Sequence, residues 1–234
     1  RGMFLDYTYI ILVLPAIILA GIASAAVKRT FKKYSTHRNS RGITGAEAAR
    51  RVLDANGLQN VSVRRVSGEL TDHFDPSNNT VNLSDSIYGS TSTAAVGVAC
   101  HEVGHAIQHA VGYAPIKIRM AIIPLTNFGA NISVPLIIAG VILASFSHAF
   151  LMLAYVGVAC FALSTLFQLV TLPVEIDASR RALNTIDDYG ILDRSEIGDA
   201  KKVLTAAAMT YVAALAVSLS QLLYFILMVS GRRD

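Results

Sequence analysis

Residues 120–174 read MAIIPLTNFGANISVPLIIAGVILASFSHAFLMLAYVGVACFALSTLFQLVTLPV, 55 consecutive positions without an Asp, Glu, Lys or Arg. A helix crosses the hydrocarbon core of a bilayer in about 20 residues, so this run is too long for one crossing and suits two antiparallel ones. Ser145, Ser147 and His148 interrupt an otherwise apolar stretch and mark the reversal near Ser145–His148. Two further charge-free runs, Tyr7–Val27 with 21 residues and Val203–Gly231 with 29, are each long enough for one crossing. The whole chain of 234 residues is 53% hydrophobic and 15% charged, and all 36 charges fall in the 129 positions outside the three runs. That is the ordinary charge density of a water-exposed domain. The sequence therefore predicts four spans, at 8–27, 121–144, 150–173 and 206–230, and excludes a wholly soluble globule and a disordered chain.

Lys and Arg set the orientation, because cytoplasmic flanks are enriched in both. Twelve of the 20 lie between Lys28 and Arg119 and five between Arg180 and Lys202. Both segments are expected in the cytoplasm, and the two intervening crossings return the chain to the same side. Arg232 and Arg233 then fall outside. The first run is not a cleaved signal peptide, since Asp6 precedes it and the basic cluster follows it, the reverse of signal order. Met3 reads as the natural start, with Arg1 and Gly2 left out of the topology. The formal net charge of +4 is explained by topology and contact with anionic lipid. No basic patch is interleaved with stacking aromatics, so nucleic acid is not an expected partner. Cys100 and Cys160 suit free buried thiols better than a disulfide.

The first charged segment begins with a basic stretch, Lys28–Arg41. Thr44-Gly45-Ala46-Glu47 has the spacing of a capping box and should open a helix whose apolar face is Ala48, Ala49, Val52 and Leu53, stopped by Asn56-Gly57. Val61–Val66 and Thr80–Leu83 read as short strands, with turn chemistry at Asp75–Asn79 between them, and predict a sheet of two or three strands. From about Ser92 to Val111 a Pro-free run of good helix formers contains the motif that carries chemistry.

That motif is His101-Glu102-Val103-Gly104-His105. Positions i and i+4 of a helix share a face, so His101 and His105 can point ring nitrogens at one Zn²⁺. Glu102, one residue on, stays beside the metal, where a general base takes a proton from a zinc-activated water and passes it to the leaving amine. A zinc hydrolase needs a third protein ligand. His109 shares the face, but eight residues advance a helix by about 12 Å, too far for one tetrahedral ion. Glu175, at the cytoplasmic mouth of the third span, is the better candidate; its alternative role is to end the span and pair with Arg180 or Arg181. His73 is a candidate for stabilising the oxyanion. Tyr211 and Gln221, with Asn127, Asn131 and Pro135, are polar or irregular positions in spans and are expected to face a bundle interior.

Along nearly its whole length the chain resembles the YugP-like membrane zinc metallopeptidases. The resemblance rests on Leu70–Pro76, the His101–Gln108 helix, Gly112–Pro115, Gln168–Glu175, Ala178–Ala182 and Leu204–Ala214. It implies a membrane-embedded zinc endopeptidase, with Glu175 where the related HtpX-type and CAAX-prenyl-protease-type enzymes place a glutamate ligand. In those relatives an Asp follows the ligand by four residues. Here that position is Ser179, so a supporting carboxylate is missing or is supplied by Asp177.

The expected molecule is mainly α, a polytopic membrane protein with about four transmembrane helices and a small cytoplasmic α+β, zincin-like protease domain. Its parts are a membrane helix at 8–27, the α+β segment at 28–119, two membrane helices at 120–174, a cytoplasmic segment with the third ligand at 175–204, and a last membrane helix at 205–231. The expected activity is zinc-dependent peptide-bond hydrolysis in the cell membrane, with the site facing the cytoplasm, Glu102 catalytic, and His101, His105 and Glu175 on Zn²⁺. The substrate is a peptide or protein, membrane proteins included. A non-catalytic chaperone or adaptor keeping a structural zinc is the competing reading, for which a closed shell of four ligands would speak. A transporter is disfavoured, because no span carries a charge.

Overall fold

The computed structural model describes residues 7–231; Met3, Asp6, Arg232 and Arg233, used above for topology, lie outside them. In chain order the elements are α1 (Tyr7–Leu12), α2 (Leu14–Tyr34), α3 (Gly45–Ala55), β1 (Ser62–Val66), β2 (His73–Asp75), β3 (Thr80–Ser84), α4 (Asp85–Tyr88), α5 (Thr93–Ala110), α6 (Ala114–Leu143), α7 (Leu151–Asp188) and α8 (Arg194–Ser230). The protein is mainly helical with one small sheet. Four helical segments are long and apolar enough to cross a membrane: Tyr7–Tyr34, Ala114–Leu143, His148–Asp188 and Arg194–Ser230. They outrun the charge-free stretches because a helix ends where its capping chemistry ends it, not where the apolar run stops. The α7 helix continues past Val174 to Asp188 and is closed by Gly190 at φ +55°. A tight turn then leads into α8, so residues 175–204 form the end of one helix and the start of the next.

The chain divides into two compact units. The first holds the described residues of Arg1–Ala23, Ile118–Leu172 and Tyr211–Asp234. Here α6 and α7 turn back on each other through residues 144–147, and small residues let them approach. A Cβ on Gly129 would stand 3.1 Å from the Cys160 carbonyl oxygen, and one on Gly157 would stand 2.7 Å from that of Ser133. Helices in lipid gain little from apolar burial against each other, so close backbone packing of this kind holds them. Thr165 and Ser218 add a buried hydroxyl pair at 2.8 Å between α7 and α8. Asn127 and Asn131 do not face a bundle interior as expected. The face of α6 that packs is Thr126, Gly129, Ser133, Ile137 and Gly140, and both asparagines lie beside it, exposed. Pro135 is exposed too, while Tyr211 and Gln221 are half-buried.

The second unit, Ser24–Lys117 and Pro173–Thr210, carries the sheet and the motif helix. Thr44 caps α3, its hydroxyl accepting from Glu47 N while Glu47 accepts from Thr44 N at 2.8 Å. Ala48, Ala49, Val52 and Leu53 are buried against Val96, Ala99, Cys100 and Val103 of α5. The sheet order is β1-β3-β2, with β1 parallel to β3 and β2 antiparallel. The β2 strand was not legible because three residues are too few to show a period of two. It is an edge strand, held by Asp72, whose carboxylate accepts from Ser84 N at 2.7 Å and from the Ser84 hydroxyl at 3.0 Å. Ala182 and Ile186 of α7 and Ala200 and Leu204 of α8 complete this core.

Candidate metal centre

Ser92 opens α5, its hydroxyl accepting from Ala95 N at 3.1 Å. The helix buries its small and branched residues, which leaves His101 and His105 side by side with ring centroids 4.7 Å apart and planes at 84°. Glu175 on α7 reaches both: its Oε2 lies 3.2 Å from His101 Nε2 and 3.5 Å from His105 Nε2. The close approach of α7 is permitted by Gly104, inside the motif. A Cβ there would stand 2.5 Å from the Ala178 carbonyl oxygen, so any larger residue would push the helix that carries Glu175 away.

The residues fit a zinc ion. One ligand atom from each of the three lies within 4.8 Å of the others, and a tetrahedral site with bonds near 2.1 Å places its ligand atoms about 3.4 Å apart. Two nitrogens and a carboxylate oxygen are zinc's ordinary donors, and the opposite nitrogen of each imidazole is already occupied. His101 Nδ1 is 3.1 Å from the Ser179 hydroxyl, and His105 Nδ1 is 3.1 Å from Gln108 Oε1, an atom that can only accept. His105 Nδ1 therefore carries a proton, with Nε2 turned to the centre. Burial opposes charge on His105, but the bond to Glu175 and the charges of Glu102 and Glu175 outweigh it and hold its pKa above the usual histidine value.

The family described as "Putative neutral zinc metallopeptidase" matches residues 9–230. The "Putative membrane protease YugP" of Bacillus subtilis (strain 168) is 44% identical over 226 residues, covering 97% of this chain and 98% of that protein. This chain belongs to that zinc metallopeptidase family. No solved structure matches it.

Around these three residues the chain departs from the pattern of Asp four residues after the glutamate. Ser179 itself takes the neighbouring place, one helical turn from Glu175, and touches His101. Asp177 acts at one remove: Gln108 Nε2 donates to Asp177 Oδ2 at 2.9 Å and to the Val174 carbonyl at 2.8 Å, while its oxygen holds His105. Arg181 pairs with Asp177 at 2.6 Å, and Arg180 bonds the same carboxylate. The expected competition of these arginines for Glu175 is thus met by Asp177. Gln108 is fully buried, and its support of His105 was missed in the sequence, although a glutamine three residues after a ligand lies on the ligand's face.

Glu102 is 8% exposed and accepts from the backbone N–H of Phe74, on β2, at 3.1 Å. The edge strand thereby fixes the carboxylate beside the histidines. His73 gives no donor to the site: its Nδ1–H goes to the Thr71 carbonyl at 2.8 Å and its Nε2 accepts from Asn82 Nδ2 at 3.2 Å. His109 is outside the centre, its ring tilted at 57° to that of Phe74 with centroids 5.8 Å apart. His37 pairs with Asp199 at 3.0 Å, and His148 begins an exposed short turn of 3₁₀ helix. Cys100 adjoins His101 but is buried, and burial pushes its thiol up to about 12, far from a thiolate ligand or nucleophile.

Proposed function

We propose that this chain is a membrane endopeptidase whose zinc is held by His101, His105 and Glu175 and whose general base is Glu102. The observation that carries this reading is the convergence of three, not four, protein donors among the described residues, with a further carboxylate fixed beside them. Three protein ligands are the mark of a catalytic zinc site, four that of a structural one, which weighs against a chaperone or adaptor. Zinc bound there supplies an acidified water and polarises the substrate carbonyl. Glu102 takes the proton from the attacking water and delivers it to the departing amine, and Phe74 N–H keeps its carboxylate aimed. Gln108 keeps a proton on His105 Nδ1 so that Nε2 turns inward, and the Ser179 hydroxyl holds the orientation of the His101 ring.

The distribution of Lys and Arg supports a site facing the cytoplasm of a cell membrane, where soluble peptides and cytoplasmic segments of membrane proteins both have access. The test is zinc content together with cleavage of an unfolded protein such as casein. Wild-type protein should bind one zinc and cleave, and Glu102→Gln should bind zinc without cleaving. Cleavage by Glu102→Gln at the wild-type rate, or full zinc content in Glu175→Ala, would overturn the assignment.

A further inference from the structure

Away from the metal centre, a cavity of about 620 Å³ opens between the end of α2 and the start of α8. Arg29 and Lys33 line it from α2, and Lys201 and Lys202 from α8. Tyr34 is 5% exposed and joins the two sides, with Lys33 Nζ 5.2 Å and Lys202 Nζ 5.3 Å from its ring centroid. One aromatic face thus gathers an ammonium from each helix. One carboxylate, Asp199, lies 3.8 Å from Lys202 and is already bonded to His37 at 3.0 Å. Among the described residues no carboxylate pairs with Arg29, Lys33 or Lys201. Four cations directed at one cavity with so little acidic compensation repel one another, and an anion relieves that repulsion.

The position of the cavity along its helices says which anion. Arg29 stands two residues beyond Val27, the end of the first charge-free run, and Lys202 immediately precedes Val203, the start of the last. Both helices run unbroken from these cations into their apolar stretches, so the cations sit at the depth of lipid headgroups. Thr205 and Ala206 extend the lining along α8 toward the apolar run. This gives a lining that changes from cationic to apolar, as a phospholipid does.

We propose that this cavity binds the phosphate headgroup of an anionic phospholipid, clamped between α2 and α8 by Arg29, Lys33, Lys201 and Lys202. Each cation near an anionic lipid surface strengthens binding about fivefold. The test is native mass spectrometry of the full chain in detergent, titrated with phosphatidylglycerol, phosphatidylcholine or inorganic phosphate, with circular dichroism to check that each variant is folded. The wild type should retain phosphatidylglycerol in preference to phosphatidylcholine. Lys33→Gln/Lys201→Gln should weaken that retention roughly 25-fold, and Lys33→Arg/Lys201→Arg should restore it. Equal retention of the two lipids by the wild type, or unchanged retention by the glutamine variant, would overturn the proposal. Inorganic phosphate holding the site as tightly as phosphatidylglycerol would assign it to a soluble anion and overturn it equally.

Discussion

The helices α5 and α7 both feed the metal centre, yet they do so by different means. Two of the proposed ligands and the proposed base lie within five residues of α5, so local helical spacing alone places them on adjoining faces. From α7 comes one proposed ligand, Glu175, 70 residues after His105, with Asp177 two residues on and Ser179 one turn on. Nothing local to α7 aims them. What aims them is the absence of a side chain at Gly104 on the other helix and the three hydrogen bonds of the Gln108 side chain. The lesson is that a helix carrying a complete motif depends on its own periodicity, whereas one carrying a single ligand depends on the packing that brings it in.

The largest effect should come from breaking the α7 side outright. Glu175→Ala takes away the proposed third ligand and should leave a protein without stoichiometric zinc and without measurable cleavage, read by metal analysis and peptidase assay. Close behind, on the α5 side, Glu102→Gln should keep zinc while lowering kcat by about 10²–10⁴, so the two variants separate holding the metal from using it.

A middle-sized effect is expected where the helices meet. Gln108→Ala takes the partner from His105 Nδ1 and one donor from buried Asp177, and zinc affinity should fall about 10- to 100-fold in a competition titration with a chelator. Ser179→Ala, which removes one contact to His101 only, belongs at the low end of that range. Gly104→Ala places a methyl against the Ala178 carbonyl and should cost about 1–3 kcal/mol of stability. Its melting temperature should drop while Glu102 stays intact, and a stability equal to wild type would mean that α7 has room to move. The smallest effect concerns Cys100. With its thiol near 12, it stays protonated at pH 8 and should resist a maleimide in the folded protein, reacting only after denaturation.

Much of this was legible in the sequence for identifiable reasons. The α3 cap is a four-residue pattern, and its observed hydrogen bonds are those the pattern prescribes. The α5 motif needs only a helix. Other features were not legible because they depend on partners distant in the chain. Asn127 and Asn131 point outward because the glycines and small residues of α6 claim the packed face. His73 looked available as an oxyanion donor until β3 brought Asn82 to its second nitrogen. Asp177 does not touch His105 directly, since Gln108 stands between the two.

By itself the sequence determined which segments are apolar enough to meet lipid and which family of zinc metallopeptidases the chain belongs to. Charge density decides where a chain can meet lipid, and helical periodicity decides which side chains share a face, and neither requires knowledge of distant contacts. Only the tertiary structure decided which residues support the ligands and how Glu102 is aimed. Those outcomes hang on two backbones meeting at Gly104 and on one edge-strand N–H at Phe74, distances of a few ångströms between residues far apart in the chain.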